Sequence, residues 1–156
     1  MVHHGKQASR YEIAIESELR VEDVNFINAS LDAFNRALAG EDHHQPLAVF
    51  MREAETGEIA GGLVGMTFWG WLHIELLWVR EDLRHTGYGR RLVEEAEAEA
   101  RRRGCRRAFV ATESFQAPGF YQSLGYVVYA ELPDLPPGFV RYYLKKDLTG
   151  ELLRPK

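Results

Sequence analysis

Residues 84–89 read RHTGYG and lie between a β-type apolar run and a long helical segment, so their reading decides the fold. On the N-terminal side, residues 72–79 alternate: Leu72, Ile74, Leu76 and Trp78 share one face, and His73, Glu75, Leu77 and Val79 share the other. That is the period of a strand with one firmly apolar face. On the C-terminal side, Leu92, Ala96 and Ala100 recur at helical spacing with Val93 beside them. Arg101, Arg102 and Arg103 complement the helix C-terminus, and Gly104 ends it. A strand, a glycine turn and a helix therefore follow in order. Gly87 and Gly89 let the backbone approach a ligand closely, and helix N-terminal amides flanked by Arg84, Arg90 and Arg91 suit a pyrophosphate. The stretch lacks both GxGxxG and the lysine and hydroxyl of GxxxxGK[ST], so an ordinary glycine turn capping a surface helix is the competing reading.

With 156 residues and 46% hydrophobic content, the chain has the size of a single domain, one that buries roughly 68 to 70% of its unfolded surface. One domain over 1–156 is expected, with 1–8 a flexible N-terminal segment. A formal net charge of -4 argues against a general nucleic-acid binder, which needs a basic surface to neutralise phosphates. The basic cluster of Arg101, Arg102, Arg103, Arg106 and Arg107 reads as a solvated helix end, because Glu97 and Glu99 precede Arg101 and Arg103 by one helical turn. Cys105 stands alone, which excludes an internal disulfide and a cysteine-rich metal site and fits a reducing compartment. The pairs His3, His4 and His43, His44 have no carboxylate or thiol spacing around them, and no metal is expected. No apolar run reaches the length of a membrane span and no hydrophobic signal core opens the chain. A cytoplasmic protein with neither membrane nor nucleic-acid partner is the expectation.

Along the chain, residues 11–16 alternate like a first strand. Asp23 offers an N-cap for a helix carrying Phe26, Ile27, Leu31, Phe34 and Leu38, which Gly40 ends. Strands are expected at about 47–52, 59–68 and 72–79, joined by tight turns at Thr56, Gly57 and at Trp69, Gly70, as an antiparallel meander. After the helix come a strand at 107–112, a short helix near 117–124 with Pro118 at its start and Gly125 at its end, and a final strand pair at 126–132 and 141–148. The fold class is α+β: a single domain with a central mixed sheet of about seven strands and helices on both faces.

With these elements in order, the chain resembles the GNAT superfamily of acyl-CoA N-acyltransferases over nearly its whole length. That family's central motif, Arg or Gln, two residues, Gly, one residue, Gly or Ala, is met by Arg84, Gly87 and Gly89 after the strand ending LLWV. A second motif is met by FYQSLGY at 120–126, about thirty residues on, and two motifs in order are far more specific than either alone. The family's Val-x-Pro lead-in is here Val79, Arg80, Glu81, and Ser114 stands where an asparagine often contacts the cofactor. The stretches SFQAPGFYQSLGY and PPGFVRYYLKK resemble a bacterial subgroup of uncertain substrate, with Phe139 where His often follows Pro-Pro-Gly.

The resemblance implies an acetyl-CoA-dependent N-acetyltransferase in which a primary amine of a small molecule or peptide attacks the thioester directly, without a metal. Acetyl-CoA would lie in a V-shaped opening between the strand at 72–79 and the parallel strand at 107–112. Backbone groups of Leu77, Trp78 and Val79 would meet the pantetheine arm. Arg84, His85, Thr86, Gly87, Tyr88, Gly89 and Arg90 would hold the pyrophosphate, with Ser114 as a further cofactor contact. Glu75 is the favoured base and His73 the second candidate, since an alkylammonium with a pKa near ~10 must lose a proton before it attacks. Tyr121 matches the family position that protonates the departing thiolate. A homodimer is expected by analogy. Two further readings stay open: a non-catalytic acyl-CoA-binding or regulatory domain, and a structural module meeting a partner through Trp69 and Trp71.

Overall fold

The computed structural model of the chain describes residues 10–150, which fall into two compact units divided after Gly40. The expected flexible segment 1–8, with His3 and His4, lies outside the described residues.

The first unit is built on α1 (Val21–Ala39). Its apolar residues recur at helical spacing as expected, and Gly40, at φ 78, closes it by donating its N–H to the Arg36 carbonyl. The N-cap is Arg20 rather than Asp23. Asp23 sits inside the first turn, where its carboxylate accepts a 2.8 Å hydrogen bond from Arg20 Nε and favours the positive end of the helix dipole. The strand expected at 11–16 does not form. Alternation fixes which side chains share a face, but a strand exists only where a neighbouring edge takes its hydrogen bonds.

The second unit is a six-stranded mixed sheet: β1 (Gln45–Arg52), β2 (Ile59–Phe68), β3 (Trp71–Val79), β4 (Arg107–Glu113), β5 (Val127–Pro133) and β6 (Val140–Asp147). The spatial order is β1-β2-β3-β4-β6-β5, and only the β3–β4 pair is parallel. Six strands and the intervening helices give the mixed α+β fold expected from the sequence. The β2–β3 turn is two residues long, and Trp69 and Gly70 both have positive φ, the twist that a tight hairpin needs.

Helices α2 (Tyr88–Arg102) and α3 (Pro118–Ser123) contribute to one core. From α2, Leu92, Val93, Ala96 and Ala100 bury against Leu63, Leu72, Ile74, Ala108, Val110 and Leu144 of the sheet, and the two alanines let the helix lie close. Tyr121 and Leu124 join from α3 and its end. On the opposite sheet face, Trp71 and His73 pack against the Phe109 ring.

The C-terminal end of α2 is anchored, not merely solvated as the sequence implied. Arg103 Nη1 donates to the Gln45 and Pro46 carbonyls at 3.3 and 3.0 Å, and Arg101 Nε donates to the Leu148 carbonyl at 2.8 Å. Cys105 is buried, as its type predicts, and burial pushes its thiol up against the opposing pull of Arg103.

One irregularity changes the reading of β3. Gly65 pairs with Ile74 and the next β2 residue, Val64, pairs with Leu76, so Glu75 is an extra residue, a β-bulge. The face therefore inverts. Leu72 and Ile74 are buried as expected, but Leu76 is 65% and Trp78 51% exposed, while Leu77 and Val79 turn onto the core. The uniform apolar face read from residues 72–79 is corrected to two half-faces, because an inserted residue shifts a period-two pattern by one. A Cβ at Gly65 would lie 2.1 Å from the His73 carbonyl oxygen. Gly65→Ala is expected to destabilise the protein by about 1–3 kcal/mol through the forced backbone shift, read as a lower urea midpoint.

Candidate active site

Strands β3 and β4 pair at Trp71–Arg107, Leu72–Ala108, His73–Phe109 and Ile74–Val110, and there the pairing stops. Both strands continue, β3 to Val79 and β4 to Glu113, without a ladder between them. The last paired residue of β3 immediately precedes the bulged Glu75. A bulge bends and twists its strand, so parting at this point has a local cause. Beyond it, β3 backbone groups on the β4 side have no strand partner, and an extended ligand arm can take them. An opening between these two strands is what the family resemblance implies.

The β3 strand leads through a single 3-10 turn, Glu81–Leu83, to residues 84–89. His85 and Gly87 both have positive φ, 61° and 93°, and Gly87 is the N-cap of α2. No side chain caps that helix, its first turn carries no acidic residue, and the space where a Gly87 Cβ would project is open. The amides at this N-terminus are thus presented to an anion with no competing carboxylate. Gly89 falls inside α2 rather than in the turn, and its bare Cα faces Phe120, whose ring carbons would lie 3.3 and 3.4 Å from a Cβ there, with Val79 at 4.0 Å. Absence of a side chain at Gly89 thus lets the start of α2, the end of β3 and α3 converge.

Arg84 does more than supply charge. Its Nε donates to the Val79 carbonyl at 3.0 Å and ties the loop to the end of β3. Thr86 Oγ1 donates to the Leu83 carbonyl at 2.5 Å, Arg90 lies 3.7 Å from Glu94, and the Arg91 guanidinium sits over the Tyr88 ring. Arg80 pairs with Glu53 at 2.5 Å and with Asp82 at 2.7 Å, bracing the same loop against the β1–β2 turn. Of these contacts only Arg80–Glu53 joins residues far apart along the sequence, twenty-seven positions, and the tertiary fold alone reveals it.

Tyr121 is buried in α3, edge-on to Phe120 and Tyr126 with ring centroids 5.1 and 5.6 Å away. Burial pushes its phenol up to about 12, so it holds its proton at neutral pH. His73 stacks flat on Phe109, with centroids 4.3 Å apart and planes 6° from parallel, and its Nδ1 lies 3.9 Å from Glu75 Oε1. Burial lowers the imidazole pKa while Glu75 pulls it up. His73 and Glu75 therefore sit together at the mouth of the parted strands, on the β3 side.

Ser114 directly follows β4 and makes a reciprocal pair with Val140: its N–H donates to the Val140 carbonyl at 2.7 Å and its hydroxyl accepts from the Val140 N–H at 3.2 Å. The same edge is closed by a Glu113–Arg141 ion pair and by Gln116, which binds Thr112 and the Glu113 amide. Among the described residues, no three His, Cys, Asp or Glu side chains gather as a metal site, and no helix is long and apolar enough to cross a membrane. Trp71 packs edge-on to Phe109 beneath Arg107, whereas Trp69 is exposed.

A mixed α+β sheet whose one parallel pair parts beside an uncapped helix N-terminus is the architecture the motifs implied. The profile of the acetyltransferase (GNAT) family matches residues 13–126, and the chain belongs to that family. It is an acetyltransferase by that membership. Over 107 residues, covering 67% of this chain and 79% of the relative, it is 50% identical to blasticidin-S acetyltransferase of Streptomyces morookaense. An acetyltransferase of Agrobacterium fabrum is 36% identical over 120 residues, 77% of this chain and 87% of its own. A crystal structure of an acetyltransferase from Bacillus cereus ATCC 14579 superposes with a TM-score of 0.78 at 33% identity, covering 86% of this chain and 97% of that one.

The electrostatics of the pair on β3 can be read directly. With its folded pKa depressed, the contribution of His73 to stability is fully present above about 6.5 and is lost as pH falls below it, because the unfolded chain binds the proton more readily. Glu75→Gln removes a charge that raises the imidazole pKa, so an NMR titration of His73 should move to still lower pH in that variant.

Proposed function

We propose that the protein is an acetyl-CoA-dependent N-acetyltransferase acting by direct attack of a primary amine of a small molecule, with blasticidin S as the first acceptor to examine. The observation that carries this reading is the parting of β3 from β4 directly beside the uncapped, acid-free N-terminus of α2. A CoA thioester needs both features: unpaired strand backbone for an amide-bearing arm, and clustered amides for a pyrophosphate. The 50% identity to blasticidin-S acetyltransferase supports a small amine acceptor over a peptide.

In this mechanism, amides at the start of α2, from Tyr88, Gly89 and Arg90, bind the pyrophosphate together with the Arg84 and Arg90 side chains. His85, Thr86 and Gly87 shape the turn that presents them. Backbone groups of Leu77, Trp78 and Val79 orient the pantetheine arm and polarise the thioester carbonyl. The Ser114 hydroxyl, accepting from Val140, retains its own proton for a further contact at the β4 edge. Glu75 takes the proton of the incoming ammonium, directly or through water, with His73 beside it as the alternative base. The freed amine forms the C–N bond as the C–S bond breaks, its nitrogen sheds the second proton to water, and the leaving thiolate receives the Tyr121 proton, which solvent then restores to the phenol. A phenol near 12 and a thiol of ordinary acidity make that transfer uphill in the ground state, so its contribution lies in transition-state proximity.

Two variants separate binding from chemistry. Tyr121→Phe should lower kcat roughly 10²-fold with little change in acetyl-CoA affinity. Gly87→Val should weaken acetyl-CoA binding at least about tenfold, because φ 93 strains a β-branched residue and its side chain projects into the anion's space. Calorimetric titration with acetyl-CoA, followed by thiol release with blasticidin S and a panel of amines, tests the whole reading. Micromolar binding with thiol release supports it. Binding without turnover on any amine favours a non-catalytic acyl-CoA domain, and no binding overturns it.

A further inference from the structure

Glu97 lies in the middle of α2 with its side chain turned into the core, and only 2% of the residue is exposed. Three side chains meet on its carboxylate. Lys146 Nζ of β6 lies 2.8 Å from both Oε1 and Oε2, Arg101 Nη2 lies 3.4 Å from Oε2, and the Tyr126 hydroxyl donates to Oε1 at 3.1 Å. The Lys146 ammonium also sits 5.5 Å over the Tyr126 ring. A buried ion pair is a poor source of net stability, since desolvation offsets most of the attraction and apolar residues of similar volume often do as well. What it supplies is direction, because charge-assisted hydrogen bonds fix the atoms they join.

The group so fixed is the ring of Tyr126, and that ring is the edge-on neighbour of Tyr121, at 5.6 Å and 71°. The two residues are also joined through the backbone, where the Tyr126 N–H donates to the Tyr121 carbonyl at 3.1 Å. Aromatic edge contacts of ~0.5–1.5 kcal/mol hold a ring only as well as their own partner is held. We infer that Glu97, acting through the Tyr126 phenol, is a positioning residue that sets how the Tyr121 ring, and with it the hydroxyl, is held in α3. The inference rests on Tyr121 serving as the acid in the proposed reaction. It adds a buried carboxylate, an ammonium and a second tyrosine that touch neither substrate.

A double-mutant cycle tests it. Tyr126→Phe keeps the ring and removes its anchor, so kcat is expected to fall about fivefold while acetyl-CoA affinity and the acceptor KM stay within about twofold. In a Tyr121→Phe background, the same change should have no further effect on kcat. Glu97→Gln, which keeps an acceptor oxygen for the Tyr126 hydroxyl, should retain more kcat than Glu97→Met, with thermal unfolding of each variant followed to exclude loss of fold. An unchanged kcat in Tyr126→Phe, or an equal loss in both backgrounds, overturns the positioning role and leaves the proposed reaction standing. An unaltered kcat in Tyr121→Phe alone overturns the assignment of the acid and the inference with it.

Discussion

Gly65 and Glu75 lie on neighbouring strands, one with no side chain and the other with no partner, and much of the remaining architecture follows from their meeting. The carbonyl of His73 occupies the place where a Gly65 Cβ would stand. That close approach accommodates one extra residue in β3, and afterwards the strand turns the other set of alternate side chains to the core. Leu77 and Val79 turn to the core, His73 and Glu75 stay near one another, and the ladder to β4 ends one residue earlier. Without the bulge, β3 and β4 would have every reason to pair along their full length, and no opening would exist between them.

The opening is useful only because other parts of the chain are held around it. Arg84 ties the loop after β3 to the strand's last carbonyl, and Arg80 braces it against Glu53. Gly89 leaves room for Phe120, which brings α3 and Tyr121 to the start of α2. Two turns further along the same helix, Glu97 draws Lys146 and Tyr126 inward, so α2 is fastened to the end of the β5–β6 pair where Val127 lies across from Lys145. The helix that offers its N-terminal amides is thus fixed from within the core and at its C-terminal end by Arg101 and Arg103. Preorganised donors of this kind need no rearrangement when an anion arrives.

Elements with strong local signals were legible. The periodicity of Leu92, Val93, Ala96 and Ala100 marked α2, the residues from 84 to 89 marked its glycine-rich entry, and Pro118 and Gly125 bracketed α3. The residues at 11–16 show the limit of such signals, since alternation names a face without naming a partner. Glu97 shows another. At helical spacing from Arg101 it looks like a solvated pair, and only the arrival of Lys146, forty-nine positions away, makes it a buried anchor.

The order of elements, the family motifs and the identities of the residues placed near the opening were determined by the sequence itself, because each is written in spacing of a few residues. The inversion of β3 at Glu75, the parting of β3 from β4, the burial of Glu97 and the stacking of His73 on Phe109 were decided only by the tertiary structure. Each depends on which atoms occupy the same space across strands, and a one-residue shift that reverses every side chain leaves no mark in the local pattern that precedes it.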